Sequence, residues 1–168
     1  MNSRFLAGHW LVLSVLLPIT IALAQARPST SPSPDAYSGM YSFLQDGEFV
    51  QVDFLPDGKV SGFVSRYGDL ESDKGAFLDH FIKSGSWKDK ELSFETAPVH
   101  GVWFTFKGTV DRGPGKSRSE EGYYVLKGTL TQYSTDADKK PSGRSREVTF
   151  KLFPQDEEAP TKKPGEKQ

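Results

Sequence analysis

From residue 37 to residue 153 apolar and polar positions alternate with a period of two, and turn-forming residues interrupt the alternation. That period puts successive side chains on opposite faces of a strand, and no apolar stripe of helical spacing competes with it. Eight strands are predicted, at 37–44, 48–55, 59–67, 77–87, 91–96, 99–111, 122–133 and 145–153. Asp46-Gly47 and Asp57-Gly58 are tight-turn signals, since Gly reaches positive φ cheaply and Asp tolerates it. Lys88-Asp89-Lys90 and Ala97-Pro98 mark two more short connections. The segments 68–76, 112–121 and 134–144, charged or glycine-rich, are read as longer loops.

Alternation also assigns faces. One face carries Tyr41 and Phe43, then Val50, Val52 and Phe54, then Val60 and Val64. It continues through Phe81, Trp87, Leu92, Phe94, Val102, Phe104, Phe106 and Val110 to Tyr124, Leu126, Leu130, Val148, Phe150 and Leu152. Every strand contributes, so one core is shared by all eight. Short sequential connections make each strand the neighbour of the last, and an eight-strand meander hides its edges best by closing on itself. The expected fold is all-β, a single antiparallel eight-stranded up-and-down β-barrel; a two-sheet β-sandwich satisfies the same alternation. Gly39, Gly62, Gly85, Gly108 and Gly128 fall on the inward face. An inward glycine lets a strand coil tightly as a barrel closes, or leaves room for a ligand.

With an opening Gly39-Met40-Tyr41 strand and eight strands in sequence order, the pattern resembles the avidin-like and lipocalin-like meander barrels over residues 37–153. The resemblance implies a small-molecule-binding barrel. In avidin-like proteins a polar set from the first strand, its loop and the third strand grips biotin beneath tryptophans. The third strand here, Ser61-Gly62-Phe63-Val64-Ser65-Arg66-Tyr67, offers only Ser65 to that pattern, so no biotin-binding residues are carried over. The stretches Arg66 to Asp73 and Val99 to Trp103 also resemble segments of secreted bacterial proteins.

The ends of the chain have a different character. Arg4, an apolar run from Leu11 to Leu23 and small residues at Ala22, Ala24 and Ala26 read as a cleavable signal peptide over 1–26. The run is broken by Pro18 and falls short of the roughly 20 apolar residues of a bilayer span, so no stable membrane anchor is expected after cleavage. A Pro/Ser-rich linker (27–36), the barrel domain (37–153) and a polar tail expected to be disordered (154–168) complete the organisation. Cysteine is absent, which excludes disulfides, thiolate metal sites and a cysteine nucleophile. The only asparagine, Asn2, lies in the leader, so the mature chain has no N-glycosylation acceptor. These features together favour a secreted or periplasmic bacterial protein. The chain has 21 Lys+Arg against 22 Asp+Glu, and so balanced a surface argues against nucleic acid as a partner.

Candidate chemistry is sparse. Asp69, Glu71 and Asp73 are spaced like calcium ligands, but Lys74 and His80 stand where an EF-hand-like loop needs Gly and Glu. His80 and His100 are the mature histidines and form no zinc-type pair, so no metal and no cofactor are expected. No nucleophile elbow or phosphate-cradling loop is present, and no catalytic residue is assigned. A hydrolase would need a serine or an acid within hydrogen-bond reach of His80 or His100. Polar groups predicted on the core face suggest a ligand-binding mouth of Tyr41, Asp79, Lys83, His100 and Tyr124, because buried charges are costly unless they meet a partner. The alternative for Asp79 and Lys83 is a rim position. On the outer face, Phe63, Ile82, Trp103 and Val125 suggest an interaction patch for self-association (a homo-oligomer) or a protein partner, with loop cover as the plain alternative. The two functional readings are thus non-enzymatic binding of a small, partly apolar ligand, and a structural or interaction module.

Overall fold

The computed structural model describes residues 32–69, 71–136 and 138–156. The predicted signal peptide, residues 27–31 of the linker and residues 157–168 of the tail lie outside the described residues. Eight strands form: β1 (Gly39–Ser42), β2 (Phe49–Phe54), β3 (Val60–Tyr67), β4 (Phe77–Lys88), β5 (Glu91–Thr96), β6 (Val102–Arg112), β7 (Tyr124–Thr135) and β8 (Pro141–Lys151). All pair antiparallel in sequence order within one curled sheet, which is the expected meander rather than a sandwich. The sheet closes where Tyr41 bridges Leu152 and the Phe153 N–H donates to the Met40 carbonyl at 2.9 Å. β1 has only four residues, so this seam is zipped at one end of the barrel. β8 begins at Pro141, earlier than the alternation suggested, and forms a long ribbon with β7.

The middle of the barrel is filled. Tyr41, Phe54, Phe104, Phe106, Phe150, Leu92, Leu126, Leu130 and Leu152 are buried to under 2 % exposure. Phe43 packs into them, edge-on to Phe104 at 5.4 Å and tilted against Phe150 at 5.1 Å. Such geometry adds to the area burial that drives folding. The inward glycines serve this packing. Gly108 and Gly128 stand directly opposite each other on β6 and β7, and a Cβ on Gly108 would lie 2.2 Å from the Lys127 carbonyl oxygen. A Cβ on Gly85 would meet Val60 at 2.8 Å. Close approach of neighbouring strands and side chains, not ligand room, uses the missing side chains.

The strand β4 departs from simple alternation. Val64 pairs with His80 and Ile82 with Thr96, but Ser84 then pairs with Glu95, so Lys83 is an extra residue in a β-bulge. A bulge of one residue exchanges the faces of everything beyond it. Before the bulge the even residues point inward and His80 is fully buried; after it Gly85 and Trp87 do. The alternation from Trp87, extended backwards, had put Phe81, Asp79 and Lys83 inside. Instead Phe81 is 62 % exposed, Asp79 is exposed, and Lys83 reaches Glu95 outside the barrel at 2.8 Å.

The two ends of the barrel also differ. At the end where β1 and β8 meet, a 3-10 turn (Pro34–Tyr37) brings the Tyr37 ring against Phe54, Trp87 and Tyr124 at 6.0, 6.1 and 4.8 Å. The turn thus carries the chain from the predicted linker into the barrel, and Tyr37, the first residue of the predicted barrel domain, plugs this end. The start of the predicted tail is ordered too, since Gln155 accepts from Arg118 at 2.6 Å and donates to the Ser38 carbonyl at 3.0 Å.

Gly108→Ala should destabilise the barrel by about 2 kcal/mol or more, the range of a buried steric conflict. Gly75→Ala, at a loop position with φ +79° and open space around it, should cost about 1 kcal/mol. Urea-denaturation midpoints check the difference.

Candidate functional site: a polar mouth at the loop end

Opposite the plug, the ends of β3 and β5 and the starts of β2, β4 and β6 place polar side chains among the core aromatics. Arg66, Glu48, His80 and Thr96 are all buried, at 4, 2, 0 and 0 % exposure. Three of them are satisfied. Glu48 accepts from the backbone N–H groups of Gln45 and Tyr67, each at 3.1 Å. Thr96 Oγ1 accepts the Phe104 N–H at 3.0 Å. The Arg66 guanidinium pairs with Asp69 and lies 5.7 Å from the face of Phe104. Buried charge and hydroxyl need such partners, because each would otherwise forfeit its hydration.

His80 is the exception. Neither ring nitrogen has a hydrogen-bond partner, and the ring stands edge-on to Phe104 at 5.2 Å. Burial lowers its pKa below the ordinary imidazole value, and the nearby Arg66 charge lowers it further. The Val102 and Ala97 backbone beside the ring and the Asp79 charge act in the opposite direction without reversing it. The ring is therefore held neutral, with neither nitrogen in full hydrogen-bond geometry.

Two loops meet above it. The β3–β4 loop carries Asp73, 8 % exposed, whose Oδ2 lies 2.7 Å from His100 Nδ1 on the β5–β6 turn. That turn is a two-residue hairpin in which His100 and Gly101 both take positive φ, 47° and 76°, as its geometry requires. The conformation is unfavourable for a residue with a Cβ, and it aims the imidazole at the loop. The pairs Asp73–His100 and Arg66–Asp69 together latch the β3–β4 loop to the barrel end.

The five residues predicted to form one mouth are distributed over three places. Tyr41 and Tyr124 are buried at the plugged end, where the Tyr41 hydroxyl donates to the Tyr37 carbonyl. Burial raises both phenol pKa values, and the neighbouring tyrosines add to the rise. Asp79 and Lys83 are outside the wall because of the bulge, and His100 alone belongs to the loop end. The outer residues are also split. Ile82 packs inward against the core, Val125 is buried, and Trp103 stacks on Tyr133 at 5.1 Å with the rings 9° apart. Phe63 instead joins Phe49 and the exposed Phe81, at 5.8 and 5.7 Å. As for a hydrolase, His100 has its acid in Asp73, but no described hydrogen bond brings a serine hydroxyl to either histidine ring.

The fold is an eight-stranded antiparallel β-barrel with a packed middle, one plugged end and one polar end, and it resembles the avidin-like barrels. Similar solved structures include a rhizavidin–biotin complex, with a TM-score of 0.56 at 13 % identity, covering 76 % of this chain and all of that one. A second rhizavidin structure (TM-score 0.53, 12 % identity) covers 75 % of this chain and 89 % of that one. The apo form of intact afifavidin (TM-score 0.53, 15 % identity) covers 76 % and 88 %. At these identities the likeness is one of fold. No protein-family model matches the chain, and no curated protein matches it in sequence.

The buried neutral imidazole makes stability depend on pH. The unfolded chain binds a proton on His80 at higher pH than the folded one, so folding stability should fall as pH drops below about 6.5 and continue to fall towards the lowered folded value. In His80→Phe this component should disappear, and stability near neutral pH should rise by about 1–3 kcal/mol as the unpaired polar atoms leave. Denaturation curves at stepped pH on both proteins measure the two effects.

Proposed function

We propose that the protein is an exported, non-enzymatic binding protein that takes a small, partly apolar ligand at the polar end of its barrel. The observation that carries this reading is His80, a fully buried imidazole beside a cation, with the Val102 and Ala97 backbone near it but neither ring nitrogen in full hydrogen-bond geometry. Polar groups left unpaired in a native interior call for an explanation, and a ligand that supplies the missing hydrogen bonds is one. His80 and Arg66 are 0 and 4 % exposed and none of the described cavities is lined by them, so the space for a ligand would be created when the Asp73–His100 latch opens. Phe104, Val64 and Val102 would then provide the apolar contact, and Arg66 and His80 the polar orientation. The fold supports the reading, since rhizavidin is the subject of a biotin complex. Export rests on the N-terminal leader pattern of Arg4, Leu11 to Leu23 and Ala22 to Ala26.

Thermal-shift titration with biotin, hexanoate and benzoate is the test. A ligand that occupies the folded mouth raises Tm with concentration, and that rise should vanish in His80→Phe. If none of the three shifts Tm up to about 100 times a micromolar Kd, where linkage predicts about 2.7 kcal/mol, and His80→Phe is simply more stable, the imidazole is only a frustrated core group.

The exposed aromatic cluster favours a second reading, self-association through the outer faces of β2, β3 and β4. Phe81 at 62 % and Phe77 at 47 % exposure adjoin Phe63 and Tyr67 on one surface. Contiguous exposed aromatics of this kind mark interfaces more often than isolated ones do. On this reading sedimentation equilibrium shows a dimer that Phe81→Glu converts to monomer; a wild-type monomer at high concentration removes it.

A further inference from the structure

Over residues 141–149 the strand β8 is paired on one side only. Its register with β7 runs without interruption from Thr135–Pro141 to Val125–Lys151. On the other side, the chain meets β1 only from Lys151 onward, through the Lys151 N–H donated to Ser42 Oγ at 2.9 Å, the Tyr41–Leu152 bridge and the Phe153 N–H donated to the Met40 carbonyl. Among the described residues, nothing pairs with the outer edge over 141–149, and residues 141–147 are exposed. At ~3.3 Å per residue this is a run of about 30 Å of free backbone donors and acceptors.

Such an edge is a template for another strand, and exposed edges usually carry a device against indiscriminate pairing. Here the device is Arg144 and Arg146. Both lie on the same face as Leu130 and Gln132, with which they pair on β7, and neither has an ion-pair partner among the described residues. A symmetric pairing of two copies centred on Ser145 puts Arg144 opposite Arg146; centred on Arg146, it puts that arginine opposite itself. Like charges directly opposed destabilise a strand pair, so the edge is set against its own copy. The other face is different, with Ser145 bonded to Thr131 at 2.8 Å and Glu147 to Thr129. The edge therefore presents two uncompensated cations on one face and hydroxyls with one acid on the other. Beside it lies a hollow of about 380 Å³ lined by Gln132, Ser134, Ser142, Gly143, Arg144 and Arg146.

We propose that the outer edge of β8 is a docking site for an extended peptide segment of another protein, with acidic side chains at alternate positions. The segment adds as a ninth strand. Its backbone takes up the free β8 groups, its carboxylates lie over Arg144 and Arg146, and its uncharged residues face Ser145 and Thr149. The edge is separate from the buried His80 mouth, so binding here does not depend on a ligand there.

The experiment uses the full chain without its leader and a fluorescein-labelled peptide of five Thr-Glu repeats, followed by anisotropy, with five Thr-Lys repeats as the control. Saturable binding of the acidic peptide is expected, with slowed amide exchange over 141–149. It should weaken about tenfold or more in Arg144→Glu/Arg146→Glu, the size of loss that close charge pairs produce at interfaces. It should weaken likewise when alternate peptide amides are N-methylated, which removes one edge of strand hydrogen bonds. Both arginines are exposed, and an unchanged Tm shows that the double variant is folded. Absence of saturation at millimolar peptide overturns the proposal, as does equal binding of the lysine peptide. So does binding that survives both charge reversal and N-methylation, or a β8-mediated dimer that the acidic peptide does not dissociate.

Discussion

The extra residue at Lys83 is the constraint on which the rest of this barrel depends. A bulge there lets β4 serve two neighbours with opposite parity, presenting His80 and Ile82 to the core in its first half and Gly85 and Trp87 in its second. Without it, one half of the strand would turn its apolar residues to water and bring Phe81, Asp79 and Lys83 inside. A buried lysine and aspartate on a wall already filled by aromatics would cost more than the bulge does. Local disruption of the ladder is thus the cheaper solution. Its consequence reaches the function: it is the bulge that delivers an imidazole to the interior next to Arg66.

Packing then divides the barrel into regions with distinct capacities. The aromatic middle and the Tyr37 plug leave no evident space for a ligand, and the inward glycines are consumed by close strand contacts such as Gly108 against Gly128. Polar groups are concentrated at the other end, where Glu48, Thr96 and Arg66 are each satisfied by a specific partner. Against that background the unpaired His80 stands out. His100 supports the same reading, since the two-residue turn that sets its positive φ also places its ring against Asp73 and ties a loop down over this end and not the other.

Much of this was legible in the chain. Period-two alternation with Asp-Gly turns gave eight strands in order, and parity gave the core of seven of them, from Tyr41 and Phe43 to Phe150 and Leu152. The same parity also reached most of the polar mouth. Arg66 continues Val60 and Val64, Glu48 precedes Val50 and Val52, and Thr96 follows Leu92 and Phe94, so reading each strand to its end would have found all three. His80 was out of reach, because a bulge leaves no mark in a strand where Lys83 and Ser84 fit either face. Barrel ends were equally hidden. Tyr41, Tyr124 and His100 share an inward or end position in the pattern, but only closure of the sheet shows that the tyrosines lie under the plug and the histidine opposite. The free edge of β8 follows from β1 being four residues long, a length that alternation over 37–44 overstated because strand pairing, not periodicity, decides where a strand stops.

The central claim is that His80 lies inside the barrel, neutral and unpaired, and ring-nitrogen NMR tests it most directly. A ¹⁵N-histidine sample titrated from neutral to acid pH should show the His80 ring taking up its proton below about 6.5, where an ordinary imidazole is half protonated. A His80 ring that titrates at the ordinary value in the folded protein would place it in water, and would contradict both the face assignment across the bulge and the mouth built upon it.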